Sequence, residues 1–150
     1  MPVVDIREHI EAPPDKVWDL MCDIKRGPEW ITVMLETLYV SEDWIQKGSV
    51  YRELSKVGPS KSVTEWTITA FDPGHSQVHE THEKTLKVTL TITVEPDGAG
   101  TMLSHHTEYK MMPVFRPLGW VLEQVFAKRL MDKQLRLSVH NAKRILESGG

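Results

Sequence analysis

The chain has a single cysteine, Cys22, in 150 residues, so no intrachain disulfide can form and a reducing compartment is expected. No apolar run approaches the roughly 20 residues needed to span a bilayer. Residues 1–8 lack the basic region and apolar stretch of a signal peptide, which makes a cytoplasmic protein the expectation. Neither sign of charge dominates: 18 Lys and Arg stand against 21 Asp and Glu, a net charge of −3. That balance argues against DNA as the main partner, because phosphate binding needs a basic face. Internal repeats, linkers and low-complexity stretches are also missing. With 40% hydrophobic and 26% charged residues, the chain is expected to be one globular domain over residues 1–150.

The patterns of metal and nucleophile chemistry are absent too. His79 and His82 are three residues apart and His105 and His106 one apart. On strands, both spacings send the two rings to opposite faces, so neither pair chelates one ion and no metal site is expected. There is no glycine-rich phosphate loop and no nucleophile elbow, and no cofactor is implied. Cys22 ends an apolar helical stretch and reads as a packed thiol.

What is present is an orderly succession of elements. Residues 4–10 alternate as a strand and stop at Ala12-Pro13-Pro14. Those prolines and Asp15 open a short helix carrying Val17, Trp18, Leu20 and Met21. Residues 23–30 read as a second short helix or turn, broken by Gly27-Pro28. The period then changes to two, with strands over 35–40, 50–54, 63–71 and 78–83 and turns at Lys47-Gly48, Gly58-Pro59 and Asp72-Pro73-Gly74. The strongest strand puts Leu86, Val88, Leu90, Ile92 and Val94 on one face, and Asp97-Gly98 turns it into a last strand over 101–111. Pro113 and Pro117 close that strand. Residues 118–147 then form a helix about 45 Å long. Val121, Val125, Met131, Leu135, Val139, Ala142 and Leu146 recur on it at helical spacing, and Leu122, Phe126 and Leu130 widen the stripe, so the helix must lie along the sheet. Hairpin-linked strands and a terminal helix give an α+β protein with an antiparallel sheet.

Several pieces, in this order, resemble a known family: Ile10-Glu11-Ala12-Pro13-Pro14-Asp15-Lys16-Val17-Trp18, Asp23-Ile24, Pro28-Glu29-Trp30, Lys47-Gly48-Ser49-Val50-Tyr51, Phe71-Asp72-Pro73, Asp97-Gly98-Ala99-Gly100-Thr101 and Pro117-Leu118-Gly119. They are similar to the SRPBCC superfamily, which includes START-domain lipid carriers, the birch-pollen-allergen family and polyketide cyclase/dehydrase-like proteins. The resemblance implies a helix-grip fold: seven antiparallel strands wrapped around a long C-terminal helix, two short helices after strand 1, and a pocket between sheet and helix. A fold of this kind serves many activities, so function has to come from the site.

The apolar faces of the last two strands point Leu90, Ile92, Leu103, His105 and Tyr109 into such a pocket. The family's alternation adds Tyr51, Glu53, Trp66, Ile68, Glu80 and His82, although a one-residue slip would invert the strands carrying Tyr51 and Glu80. Trp30 stands at the pocket mouth in this resemblance, and Met131 and Leu135 face it from the helix. Trp120, near Phe115, would belong to a gate. His105 reads either as a general acid/base beside Glu53 or Glu80, or as a core histidine bonded to a tyrosine or the backbone. The basic run Lys128-Arg129, Lys133, Arg136, Lys143-Arg144 reads as a solvated helix face.

Three functions remain open. The first is a carrier or sensor that binds a hydrophobic or amphipathic small molecule such as a lipid or polyketide. The second is a polyketide cyclase/aromatase-type enzyme using His105, Tyr109 or Glu53. The third is a ribosome- or membrane-associated interaction protein, without stable membrane insertion. An exposed sheet edge would also permit a homodimer.

Overall fold

The computed structural model describes residues 3–57, 60–84, 86–111 and 118–149, with side chains left undescribed at 57, 60, 111, 118–124 and 127. The Gly58-Pro59 turn, Met112, Pro113, Phe115 and Pro117, and the proposed gate at Trp120, lie outside this description. Strand β1 (Val3–Ile10) leads into α1 (Pro14–Cys22), a single 3₁₀ turn (Ile24–Arg26) and α2 (Gly27–Trp30). Strands β2 (Met34–Val40), β3 (Val50–Val57), β4 (Ser60–Asp72), β5 (Ser76–His82), β6 (Leu86–Asp97) and β7 (Gly100–Met111) follow, and α3 (Leu118–Glu147) comes last. Pro14 and Pro28 both sit in first turns, where the missing N–H costs no helical bond. Gly27-Pro28 therefore opens α2 and does not break it.

The seven strands form one antiparallel sheet in the order β1-β7-β6-β5-β4-β3-β2. The first strand of the chain pairs with the last, and the α1–α2 segment carries the chain across to the opposite edge. Tight reversal between β6 and β7 depends on Gly98, which takes φ 61°, a region that L side chains avoid. At the far edge, β2 meets β3 through two register shifts, between Met34 and Glu36 and between Thr37 and Tyr39. Each bends the strand. This is the helix-grip arrangement.

Alternation then decides what is buried. Val4, Ile6 and Ile10 of β1, Val88, Ile92 and Val94 of β6, and Leu103 and Tyr109 of β7 pack against Val17, Leu20 and Met21 of α1 and Val139 and Ala142 of α3. Burial of each large aliphatic side chain contributes about 1.5–3 kcal/mol. Polar contacts fix the second half of α3 in place. The Ser138 hydroxyl accepts from Thr32 N–H at 3.0 Å, Asn141 donates to the Trp30 carbonyl at 3.2 Å, and Lys143 donates to the His9 carbonyl at 2.7 Å. Glu147 accepts from the Glu11 N–H at 2.8 Å.

The β1–β7 seam leaves no room at its end. A Cβ on Gly100 would strike the Ile10 carbonyl oxygen and crowd the His9 ring. Backbone cannot yield there without parting the ladder, so Gly100→Ala should lower stability by about 2 kcal/mol. A melting curve identical to wild type would show that the seam opens freely.

Candidate functional site

The concave face of the sheet, covered by α1 and α3, brings together most of the residues singled out from the sequence. Tyr51 and Glu53 of β3, Ile68 of β4, Ile92 of β6 and Leu103, His105 and Tyr109 of β7 are buried there. Trp66, Leu90, Met131 and Leu135 are half-buried against the same core. Trp30, at the end of α2, is buried and meets His105 edge-on, with ring centroids 5.8 Å apart.

Strand β5 is the exception. Its inner face carries Gln77, His79 and Thr81, whereas Glu80 is half-buried on the outer face and His82 is exposed. Pairing fixes this phase: His79 lies opposite Ile68 on one side and Leu90 on the other, both inward residues. Glu80 sits beside Thr67 and Thr89 and accepts from the Thr89 hydroxyl at 3.2 Å. The expectation, drawn from the family's alternation, fails here by a one-residue slip: Val78, the only aliphatic residue in β5, shares the outer face with Glu80 and His82. Apolar character therefore points to the wrong face.

Two polar systems occupy the buried surface. In the first, the Tyr51 hydroxyl bonds His79 Nδ1 at 2.8 Å, His79 Nε2 meets Gln77 Oε1 at 2.6 Å, and Gln77 Nε2 reaches Cys22 Sγ at 3.6 Å. Because an amide oxygen only accepts, His79 donates from Nε2 and its Nδ1 accepts from Tyr51. Burial, and secondarily His105, depresses the His79 pKa to about 3. Burial likewise pushes the Tyr51 phenol well above its usual range and the Cys22 thiol up to about 11. Cys22 is thus a protonated thiol at neutral pH.

In the second, Glu53 Oε1 accepts from Trp66 Nε1 at 3.0 Å and from the Ser55 hydroxyl at 3.1 Å. Burial raises the Glu53 pKa, against the opposing pull of those two donors. The Trp66 ring also stacks on Tyr51, nearly parallel at 9° and 6.3 Å between centroids, so the two systems touch.

His105 belongs to neither system. It makes no bond to Glu53 or to a tyrosine; His79, not His105, is the histidine that holds a tyrosine. Burial brings its pKa down to about 4. Among the described residues His105 Nε2 has no hydrogen-bond partner, and neither do Trp30 Nε1, the Thr107 hydroxyl and the Tyr109 hydroxyl, all of them buried. Sequence reasoning missed Gln77, His79, Thr81 and Thr107 as site residues. The signal available for β5 was that its two phases differ in hydrogen-bonding capacity as well as in apolarity.

Among the described residues no group of three or more His, Cys, Asp or Glu could hold a metal ion. An open groove of about 390 Å³ runs along the sheet edge, lined by Lys25, Pro28 and the β2 residues Leu35 to Val40. It holds none of the buried polar groups, so the concave face is the better candidate.

The two histidines give stability a definite pH dependence. An unfolded imidazole takes up a proton near 6.5, the folded ones only near 3 and 4. Between those values the unfolded chain binds more protons, so stability is full above about pH 6.5 and falls on acidification toward pH 4. Thermal melts across this window should show a falling midpoint, with a shallower fall in His79→Gln; a flat profile would mean that the folded state accepts these protons readily. Glu53 has the opposite sign, because a raised carboxyl pKa penalises the folded state above its ordinary value of 4.5. Glu53→Gln should raise the midpoint at neutral pH, and a lower midpoint would show a carboxylate held charged by Trp66 and Ser55.

Comparison with known proteins places this geometry. Residues 1–147 match the family described as polyketide cyclase / dehydrase and lipid transport. No curated protein matches by sequence. Among solved structures, a START superfamily protein from Mycobacterium smegmatis is similar at TM-score 0.79 and 12% identity, covering 99% of each chain. A protein of Thermus thermophilus is similar at TM-score 0.75 and 16% identity, again over 99% of each. The di-domain ARO/CYC StfQ of the steffimycin biosynthetic pathway aligns at TM-score 0.76 and 16% identity with 97% of this chain and 51% of its own. Identities this low speak to the fold alone, whereas the family match runs nearly end to end: the chain belongs to the polyketide cyclase/dehydrase and lipid-transport family of the SRPBCC superfamily.

Proposed function

We propose that this protein binds a hydrophobic or amphipathic small molecule, such as a lipid or polyketide, on the concave face between sheet and C-terminal helix. One observation carries the reading. Four polar atoms, on Trp30, His105, Thr107 and Tyr109, are buried in an apolar surround without partners among the described residues. Leaving a buried donor or acceptor unmade costs about 1–3 kcal/mol each. A ligand whose oxygens met these atoms would recover that cost, and a mostly apolar site with a few polar groups is the usual make-up of a small-molecule pocket. Membership of a family described by lipid transport and polyketide chemistry points the same way.

Cyclisation of a poly-β-ketone is the second reading, favoured by the fold shared with a di-domain ARO/CYC protein. The local electrostatics suit it less. A general base works best with a pKa near the operating pH, and burial holds His105 at about 4. Positioning of the chain would have to supply most of the rate.

Native mass spectrometry of freshly purified protein, followed by organic extraction, tests the binding reading by revealing any co-purifying apolar molecule. Displacement of Nile red by that molecule gives its affinity. Thr107→Val and Tyr109→Phe should each weaken an oxygen-bearing ligand by about five- to tenfold while leaving Nile red unchanged. Protein that takes up neither Nile red nor any extracted or added lipid would sink the proposal. Turnover of an added poly-β-ketone that is lost in His105→Ala, with binding kept, would move the assignment to the cyclase.

A further inference from the structure

The outer face of α3 carries apolar side chains that the sheet does not cover. Phe126 is 69% exposed, Val125 49% and Leu137 41%, although the first two were expected to join the buried stripe. For Phe126 and Leu137 the reason is rotational. At 100° per residue, Phe126, Arg129, Lys133 and Leu137 fall within about 80° of one another, on the side away from the buried Ala142.

The helix is also richer in bases than the rest of the chain. Residues 118–147 hold six Lys and Arg against three acids, in a chain whose net charge is −3. Lys128, Arg129 and Lys133 are exposed, and among the described residues none of them enters an ion pair. Asp132, which adjoins Lys133 in the chain, is engaged by Arg136 at 2.9 Å. The hydrogen bonds described between α3 and the other elements all start from Gln134 onward, so among the described residues Phe126, Arg129 and Lys133 make none to another element.

We propose that the outer face of α3 around Phe126 docks on the surface of an anionic lipid bilayer. Phe126 enters the headgroup layer with Val125 at its flank, and Arg129 and Lys133 lie over anionic headgroups. An exposed ring and neighbouring cations are the two features that hold a helix flat on such a surface, one by burial and one by Coulomb attraction. Among the described residues no helix is long and apolar enough to cross a membrane, so the contact is peripheral. The proposal concerns where the protein is held and does not depend on what it carries.

Co-sedimentation of the full chain with vesicles tests it, comparing pure phosphatidylcholine with vesicles containing one-fifth phosphatidylserine, at low and high salt. Retention is expected on the phosphatidylserine vesicles only and should fall as salt rises. Arg129→Gln and Lys133→Gln should weaken it by about fivefold each, and Phe126→Ser by about tenfold. All three positions are exposed, so an unchanged melting temperature confirms that each variant is folded. Equal retention on both vesicle types, retention unchanged in the variants, or no retention at millimolar lipid overturns the proposal. A salt-sensitive gel shift by RNA in the absence of vesicle binding would overturn it too, and would assign the face to nucleic acid.

Discussion

Taking an imidazole, a phenol or a carboxyl group out of water is expensive, and the concave face does it to all three. The sheet can bury Tyr51, Glu53 and His79 only because each donor or acceptor finds a neighbour one strand or two residues away. Burial favours their uncharged forms, and the network ends at β7, where His105, Thr107 and Tyr109 are buried with polar atoms unmatched among the described residues. One side of the face is thus closed on itself, and the other is poised for an outside partner. Tolerating such a cost in a folded chain is what a binding site requires of its scaffold, with stability recovered elsewhere in the core.

The recovery is visible in how α3 is held. Its second half buries Val139 and Ala142 and is tied by Ser138, Asn141, Lys143 and Glu147 to the loop after α2 and to the end of β1. Ligand chemistry near Trp30 and membrane chemistry near Phe126 would therefore act on one rigid element anchored at its far end.

Most of this architecture was legible in the residues because period and apolarity agreed. In β6 every inward position from Leu86 to Val94 is aliphatic, and the structure follows that alternation. In β5 they disagreed. The inner face is Gln77, His79 and Thr81, and only the pairing with β4 and β6 reveals that polar side chains there are shielded by hydrogen bonds, not solvated. The long helix shows a third case. Its extent was plain from composition, but the width of its apolar stripe exceeded what the sheet can cover, so Val125 and Phe126 remain outside. Which part of an over-wide stripe is covered depends on helix rotation, a tertiary property that spacing alone does not contain.

An open sheet of seven strands has two unfinished margins, and each is an invitation to another chain. At one margin, β1 turns Asp5 and Arg7 outward. At the other, Leu35, Leu38 and Tyr39 are exposed, a composition that would favour growth by strand addition. The two register shifts in β2 work against this. A newcomer would find the spacing of donors and acceptors interrupted twice within seven residues, so a straight ladder could not propagate along it. The irregular edge thus acts as a guard against templated aggregation, and removing the extra residues would be expected to make the protein less soluble without altering its interior.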